Sequence, residues 1–293
     1  MGLPDAPALS GPPPATPRPQ HGLVRVEPVG AWPGFDWPEL WRYRGLLGFL
    51  VWREIKVRYA QTVLGAAWAV LQPLLSTVVF TVIFGRFARL PSDGVPYSLF
   101  SLAALVPWTY FNTAVSGASN SLTVNTSLVT KVYFPRLVIP GAPVLAALLD
   151  LAVSFVALLL LMLAYHVVPG ASALLLVPLS VVILIMTAAG VGFWLSALNI
   201  QYRDVKYVVP FLLQLWMFAS PVVYPLSLVP AQYRLAYALN PLAGAIAGFR
   251  SALVGAGAPT PAEFALSTAV ACLICGAGAV YFRRTERVFA DVA

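Results

Sequence analysis

The chain has 293 residues, 59% of them hydrophobic and only 10% charged, with a mean hydropathy of +0.81. Soluble domains carry roughly 25% charged residues, so this chain cannot clothe a water-facing surface and reads as an all-α integral membrane protein. The net charge of +7 does not indicate nucleic acid, because the basic residues flank apolar stretches, where they act as topology signals and headgroup contacts.

Residues 1–38 hold 10 of the 26 prolines and no apolar core of the kind a signal peptide needs. They are expected to form a disordered leader, extended where proline dominates. Residues 39–60, ELWRYRGLLGFLVWREIKVRYA, predict an amphipathic interface helix with two charged edges and aromatic bulk, suited to the headgroup layer. It is either a plain interfacial anchor or a cytoplasmic collar for a soluble partner.

A span needs about 20 apolar residues, and six windows qualify: about 64–86, 97–119, 138–165, 173–198, 207–225 and 263–282. Between the fifth and sixth, residues 226–258 are apolar but broken by Pro230, Pro241 and glycines, which predicts short helices dipping back into the membrane on the outer side. With the N-terminus inside, 14 of the 18 basic residues fall in cytoplasmic segments. The positive-inside rule then expects six spans with both termini cytoplasmic, including the tail 286–293. Trp68, Gln72 and Pro73 stand out at the start of the first window, since a polar amide and a proline in lipid suggest a helix facing protein or a water-filled space.

Catalysis is poorly provided for. The two histidines are His21 and His166, the first in the leader and the second in an outside hairpin, and no HExxH or intramembrane acidic pair occurs. Asp150 is the one clear mid-span carboxylate; with no basic partner in its own helix, it is read as a helix–helix hydrogen-bonding site. None of the three lysines follows a glycine, so no P-loop exists and energy for uphill transport must come from another chain. Cys272 and Cys275 sit in greasy helix and read as packing residues, with no disulfide or metal site supported.

The segment Ser119 to Pro140 predicts a short helix capped by Asn125 or Ser127, running through Leu128, Val129, Lys131, Val132 and Tyr133 and ended by Pro135. An apolar patch of Leu128, Val129, Val132, Tyr133 and Phe134 in a water-facing loop marks a docking surface. The loop Asn199 to Tyr207 is a second contact.

Five pieces carry a resemblance: RYAQTVLGAAWAVLQPLLSTVVFTVIFGRF (58–87), LVTKVYFPRLVIP (128–140), LNIQYRDVKY (198–207), ASPVVYP (219–225) and LNPLAGAIAGFRSAL (239–253). In this order they resemble the membrane permease subunit of polysaccharide-exporting ABC transporters, the class that exports O-antigen, capsule or teichoic acid. The resemblance implies a homodimer in the bacterial inner membrane with two copies of a cytoplasmic ABC ATPase, which would hold the ATP and Mg; this chain would bind no cofactor. The cargo would be a glycan on undecaprenyl diphosphate. Coupling to the ATPase would fall on Asn125, Leu128, Val129, Lys131, Tyr133, Phe134, Arg136, Tyr202 and Arg203. Candidates for the pore lining are Trp68, Gln72, Phe80, Phe84, Trp216, Phe218 and Tyr224, because aromatic faces let sugars slide. Arg53, Lys56 and Arg58 are candidates for meeting the lipid diphosphate at the cytoplasmic mouth. A drug or lipid exporter, an integral-membrane transferase or protease, and a structural anchor are the competing readings.

Overall fold

In the computed structural model, residues 37–60, 65, 67–131, 134–202 and 204–286 are described, and every regular element among them is helical. Residues 1–36 of the proline-rich leader and 287–293 of the tail lie outside the described residues; Trp37 and Pro38, assigned to the leader from sequence, instead begin the first helix. The elements are α1 (Trp37–Arg42), α2 (Arg44–Tyr59), α3 (Ala67–Phe80), α4 (Tyr97–Val124), α5 (Thr126–Lys131), α6 (Val138–Ala164), α7 (Ala173–Gln201), α8 (Val205–Phe218), α9 (Ala231–Tyr237), α10 (Pro241–Val254) and α11 (Pro261–Thr285). A wider π-helical stretch, Thr81–Phe87, prolongs α3.

Among the described residues four helices are long and apolar enough to cross a membrane: α3 with its π-helical extension, α6, α7 and α11. The chain is therefore a multi-spanning, all-α membrane protein. The 28-residue α4 has the length but is rich in Ser, Thr and Asn. It can be so because it is the centre of the bundle, packed against α3, α6, α7, α8 and α10 with its polar groups bonded inside the protein. The fifth window extends to residue 225, yet α8 stops at Phe218. At 1.5 Å per residue its 14 residues cover roughly 21 Å, short of the ~30 Å hydrocarbon core. Pro221 and Pro225 explain the stop, since each lacks an N–H and biases the residue before it away from helix.

Pro73 lies inside α3 and is buried. A proline leaves the carbonyl four residues earlier without its helical donor, here that of Ala69. Ser154 Oγ on α6 donates to that carbonyl at 2.7 Å. Thr77 Oγ1 donates to the Pro73 carbonyl at 2.8 Å, so the helix passes through the proline with its polar groups served from neighbours. The helices α7 and α11 cross with backbone against backbone. A Cβ on Gly190 would lie 2.4 Å from the Ile274 carbonyl oxygen, and one on Gly278 only 2.2 Å from that of Gly190. Only glycine permits this approach, the small-residue packing that substitutes for the hydrophobic effect in lipid.

At the end of the bundle where α4 begins, side chains hold the non-helical segment 219–225. Tyr97 donates its hydroxyl to the Val223 carbonyl at 2.6 Å. The fully buried Arg250 donates from Nη1 to the Pro221 carbonyl at 2.9 Å, with its guanidinium 3.9 Å from the Phe100 ring centroid. Asn240 caps α10 by accepting from the Leu242 N–H at 3.2 Å and from Trp216 Nε1 at 3.0 Å, and it donates to the Ala219 carbonyl and Ser220 Oγ. Thr260 and Glu263 form a reciprocal capping box at the start of α11.

Candidate functional site

The opposite end of the bundle carries α5, and a polar network lies around it. Asn125 closes α4, its side chain donating to the Ser121 carbonyl at 2.8 Å and accepting from Arg53 Nη2 of α2 at 2.7 Å. Asn199 near the end of α7 donates to the Ser119 carbonyl at 2.8 Å and to Asn120 Oδ1 at 3.1 Å. Arg136 binds Glu286 twice, through its backbone N–H to Oε1 at 3.2 Å and through Nη1 to the carbonyl oxygen at 2.6 Å. These bonds join α2 to the end of α4, α4 to the end of α7, and the residues leading into α6 to the end of α11.

Asn125 precedes α5 by one residue, but its side chain serves α4 and Arg53 rather than capping α5. Leu128 is partly buried against the clusters around Leu50 and Leu122, and Val129 and Lys131 belong to α5. Tyr133 and Arg203 lie outside the described residues. Tyr202 is 62% exposed and open to a partner. Phe134 differs from the sequence expectation of an exposed docking residue: it is only 6% exposed, packed with Leu122, Leu137, Phe193 and Phe282. The chain turns at Phe134–Pro135 to enter α6, which points this ring into the bundle.

The three basic candidates for a diphosphate part company. Arg53 holds Asn125. Lys56 is exposed, its Nζ 4.8 Å from the Trp52 ring centroid. Arg58 is engaged inside the protein, donating from Nη1 to Asp150 Oδ2 and lying 3.8 Å from Glu54. The Tyr59 hydroxyl donates to the other carboxylate oxygen of Asp150. Asp150 is thus a helix–helix bonding site as its sequence setting suggests, with a cationic partner that comes from α2 rather than from a spanning helix. The helix α2 also packs against α6. Leu50 packs on Val138 and Ala142, and Arg58 and Tyr59 reach Asp150, so α2 runs along the first half of α6.

The pore candidates also divide. Trp68 is 50% exposed, and Gln72 one turn later is exposed too. With Leu75, Val79 and Ile83 they form an open stripe along α3. Phe80 and Phe84 stack edge to face with centroids 5.4 Å apart and pack partly into the core. On α8, Phe218 is exposed and continues a stripe with Phe211 and Leu215. Trp216 faces inward, edge-on to Phe111 at 5.2 Å and bonded to Asn240. Tyr224 bonds the Tyr237 hydroxyl at 3.0 Å and the Phe218 carbonyl. Both helices that carry these stripes pack against α4. Only 11% of the apolar window of α3 is buried, against 39% for α6, so α3 has the less covered surface of the two.

Sequence reasoning missed Asn120, Glu286 and the pairing of Arg58 with Asp150, and it took Asn199 only as the edge of the second contact loop. The available signal was polar residues at the inner edges of apolar windows, where each needs a partner. An apolar cleft of about 670 Å³ between α7, α10 and α11, lined by Leu176, Leu179, Phe264 and Cys272 among others, offers no charged group to a sugar or phosphate. Cys272 and Cys275 are free thiols. No group of three or more His, Cys, Asp or Glu able to hold a metal occurs among the described residues.

Residues 45–254 match the family model described as ABC-2 type transporter. The chain is 32% identical over 255 residues to the O-antigen export system permease protein RfbA of Myxococcus xanthus, covering 86% of this chain and 97% of that protein. It is 27% identical to an O-antigen export system permease protein RfbA of Klebsiella pneumoniae, over 70% of this chain and 78% of the other. It is 26% identical to the polysialic acid transport protein KpsM of Escherichia coli, over 69% and 78%. These relatives are named for O-antigen export and polysialic acid transport, and the chain belongs to the ABC-2 type transporter family.

Proposed function

We infer that this chain is the permease subunit of an ATP-driven exporter that moves a lipid-linked polysaccharide of O-antigen type across the bacterial cytoplasmic membrane. The observation that carries this is similarity across 97% of the length of an O-antigen export permease. The chain transports and does not catalyse; ATP and Mg belong to a separate ATPase subunit. Two copies of each subunit make the working unit, with both termini of the permease cytoplasmic. The polymer is carried on undecaprenyl diphosphate.

In this reading the chain crosses the membrane six times, α4 and the short α8 included, and α9 and α10 are re-entrant on the outer side. The helix α5 and the loop around Tyr202 receive the ATPase. Two features support the pore: α3 and α8, which carry the open stripes, pack against the same central helix, and Trp68, Gln72 and Phe218 on those stripes are uncommitted to internal packing. Two permeases facing each other through these stripes would enclose a path walled by aromatic rings and an amide, which a sliding sugar chain can pass without fixed hydrogen bonds. Of the basic candidates, Lys56 is the one whose exposure suits a lipid diphosphate. Deleting the chain is expected to leave lipid-linked polymer inside the cell and none at the surface. Normal surface polymer in the deletion would refute the reading. Tyr202→Ala is expected to lower export while leaving membrane insertion intact, and unchanged export would remove this loop from the coupling surface.

A further inference from the structure

We propose that Asp150 is a positioning residue for transport: with Ser154 it makes α6 a splint that holds the end of α2 and the start of α3, so that movement of α2 swings the α3 wall. This rests on the reading of the chain as an ATPase-driven permease and adds the route by which the stroke reaches the pore.

The geometry of α6 carries the argument. Asp150 and Ser154 are one helical turn apart and share a face. Asp150 takes the last turn of α2, one carboxylate oxygen accepting from Arg58 and the other from Tyr59. Ser154 takes the first turn of α3, donating at 2.7 Å to the Ala69 carbonyl, which Pro73 has left without a helical donor. Two adjacent side chains of one helix therefore grip both sides of the connection that the chain makes between Tyr59 and Ala67.

Depth explains why the grip holds. Asp150 is near the middle of the 27-residue α6, roughly 18 Å from its first residue at 1.5 Å per residue. An ionised side chain at such a position in a span is expensive without a partner, and separating a buried pair leaves an uncompensated charge. An apolar contact in lipid slides at little cost, because the tails are as apolar as the side chains. The charged clamp does not slide, so displacement of α2 becomes displacement of α6 and α3 together. Five residues before Arg58, α2 is also held by Arg53 to Asn125, next to α5. The route runs from α5 through Asn125, Arg53, Arg58 and Asp150 to the start of the Trp68 and Gln72 stripe.

The test uses the full chain with its ATPase in proteoliposomes, reading polymer moved per ATP hydrolysed in complexes assembled to equal levels. Asp150→Asn is expected to lower that ratio roughly tenfold, as loss of a paired intramembrane charge implies. The exchange R58D with D150R, made with E54Q so that the carboxylate 3.8 Å from position 58 does not oppose it, restores the pair with reversed sense and is expected to recover at least about a third of the wild-type ratio. A wild-type ratio in Asp150→Asn, or no recovery in an exchange variant that assembles normally, overturns the proposal. Should the charge variants fail to assemble, Ser154→Ala leaves the ion pair intact and removes only the grip on α3. A fall of roughly threefold in its ratio is expected for one lost buried hydrogen bond, and no fall overturns the splint. Failure of the export reading is separate: it shows as normal surface polymer in cells lacking the chain, whereas surface polymer lost on deletion and fully restored by Asp150→Asn refutes the splint alone.

Discussion

Replacing Gly278 by alanine puts a methyl carbon 2.2 Å from the Gly190 carbonyl oxygen, 2.8 Å from its carbon and 2.9 Å from its Cα. Ordinary contact for a Cβ begins at 3.4 Å, so α7 and α11 must part by more than 1 Å. The obstacle is backbone on both sides, and no side-chain rotation relieves it. A gap of 0.5–1 Å forfeits about a quarter to a half of each van der Waals well, and overpacking of a tight core costs about 1–3 kcal/mol. Helical propensity offers little in return, since the separated helices stay helical in lipid. We expect Gly278→Ala to destabilise by about 3 kcal/mol, or roughly 6–12 °C in apparent melting temperature. Gly276→Ala is the control: it lies on the same helix, but a Cβ there meets nothing within 4 Å. Thermal denaturation of both purified variants in one detergent, followed by loss of monodisperse protein, is the assay. Equal stability of the two variants would refute the close-crossing argument, as would a Gly276→Ala protein less stable than Gly278→Ala.

Three further outcomes follow from the end of the bundle where α4 begins. Asn240→Ala removes the acceptor of Trp216 Nε1 and the bonds to Ala219, Ser220 and Leu242; it should cost about 2–4 kcal/mol and change the tryptophan emission, which denaturation followed by fluorescence will read. Arg250→Met leaves the Pro221 carbonyl without its donor and Phe100 without its cation; about 3 kcal/mol should be lost, with proteolysis of segment 219–230 accelerated. Thr260→Ala opens the capping box of α11 for about 1 kcal/mol, seen as faster hydrogen exchange at Glu263 and Phe264 while the middle of the helix is unchanged.

The long helices were legible because lipid leaves few choices. An apolar run must become helix to satisfy its own backbone, so composition alone locates α3, α6, α7 and α11 to within a few residues. The short helix at Thr126–Lys131 was legible too, from its polar flanks and the proline beyond it. The end of α8 was read too late, since hydropathy counts ASPVVYP as apolar and does not weigh what two prolines do to a backbone. Phe134 was misplaced for a related reason: an aromatic ring in a loop carries no mark of the side on which it folds.

What the sequence determined by itself is the class of solvent, the helical fold, the absence of a P-loop in this chain and the family that its five motifs signal. Those properties follow from composition and local order, which act residue by residue. The tertiary structure alone decided which polar groups meet. Arg58 finds Asp150 across 92 positions of sequence, and Ser154 finds the Ala69 carbonyl across 85. No local pattern encodes such pairs, because each is set by how two helices lie against each other in a medium that leaves a buried charge or freed carbonyl no water to bond.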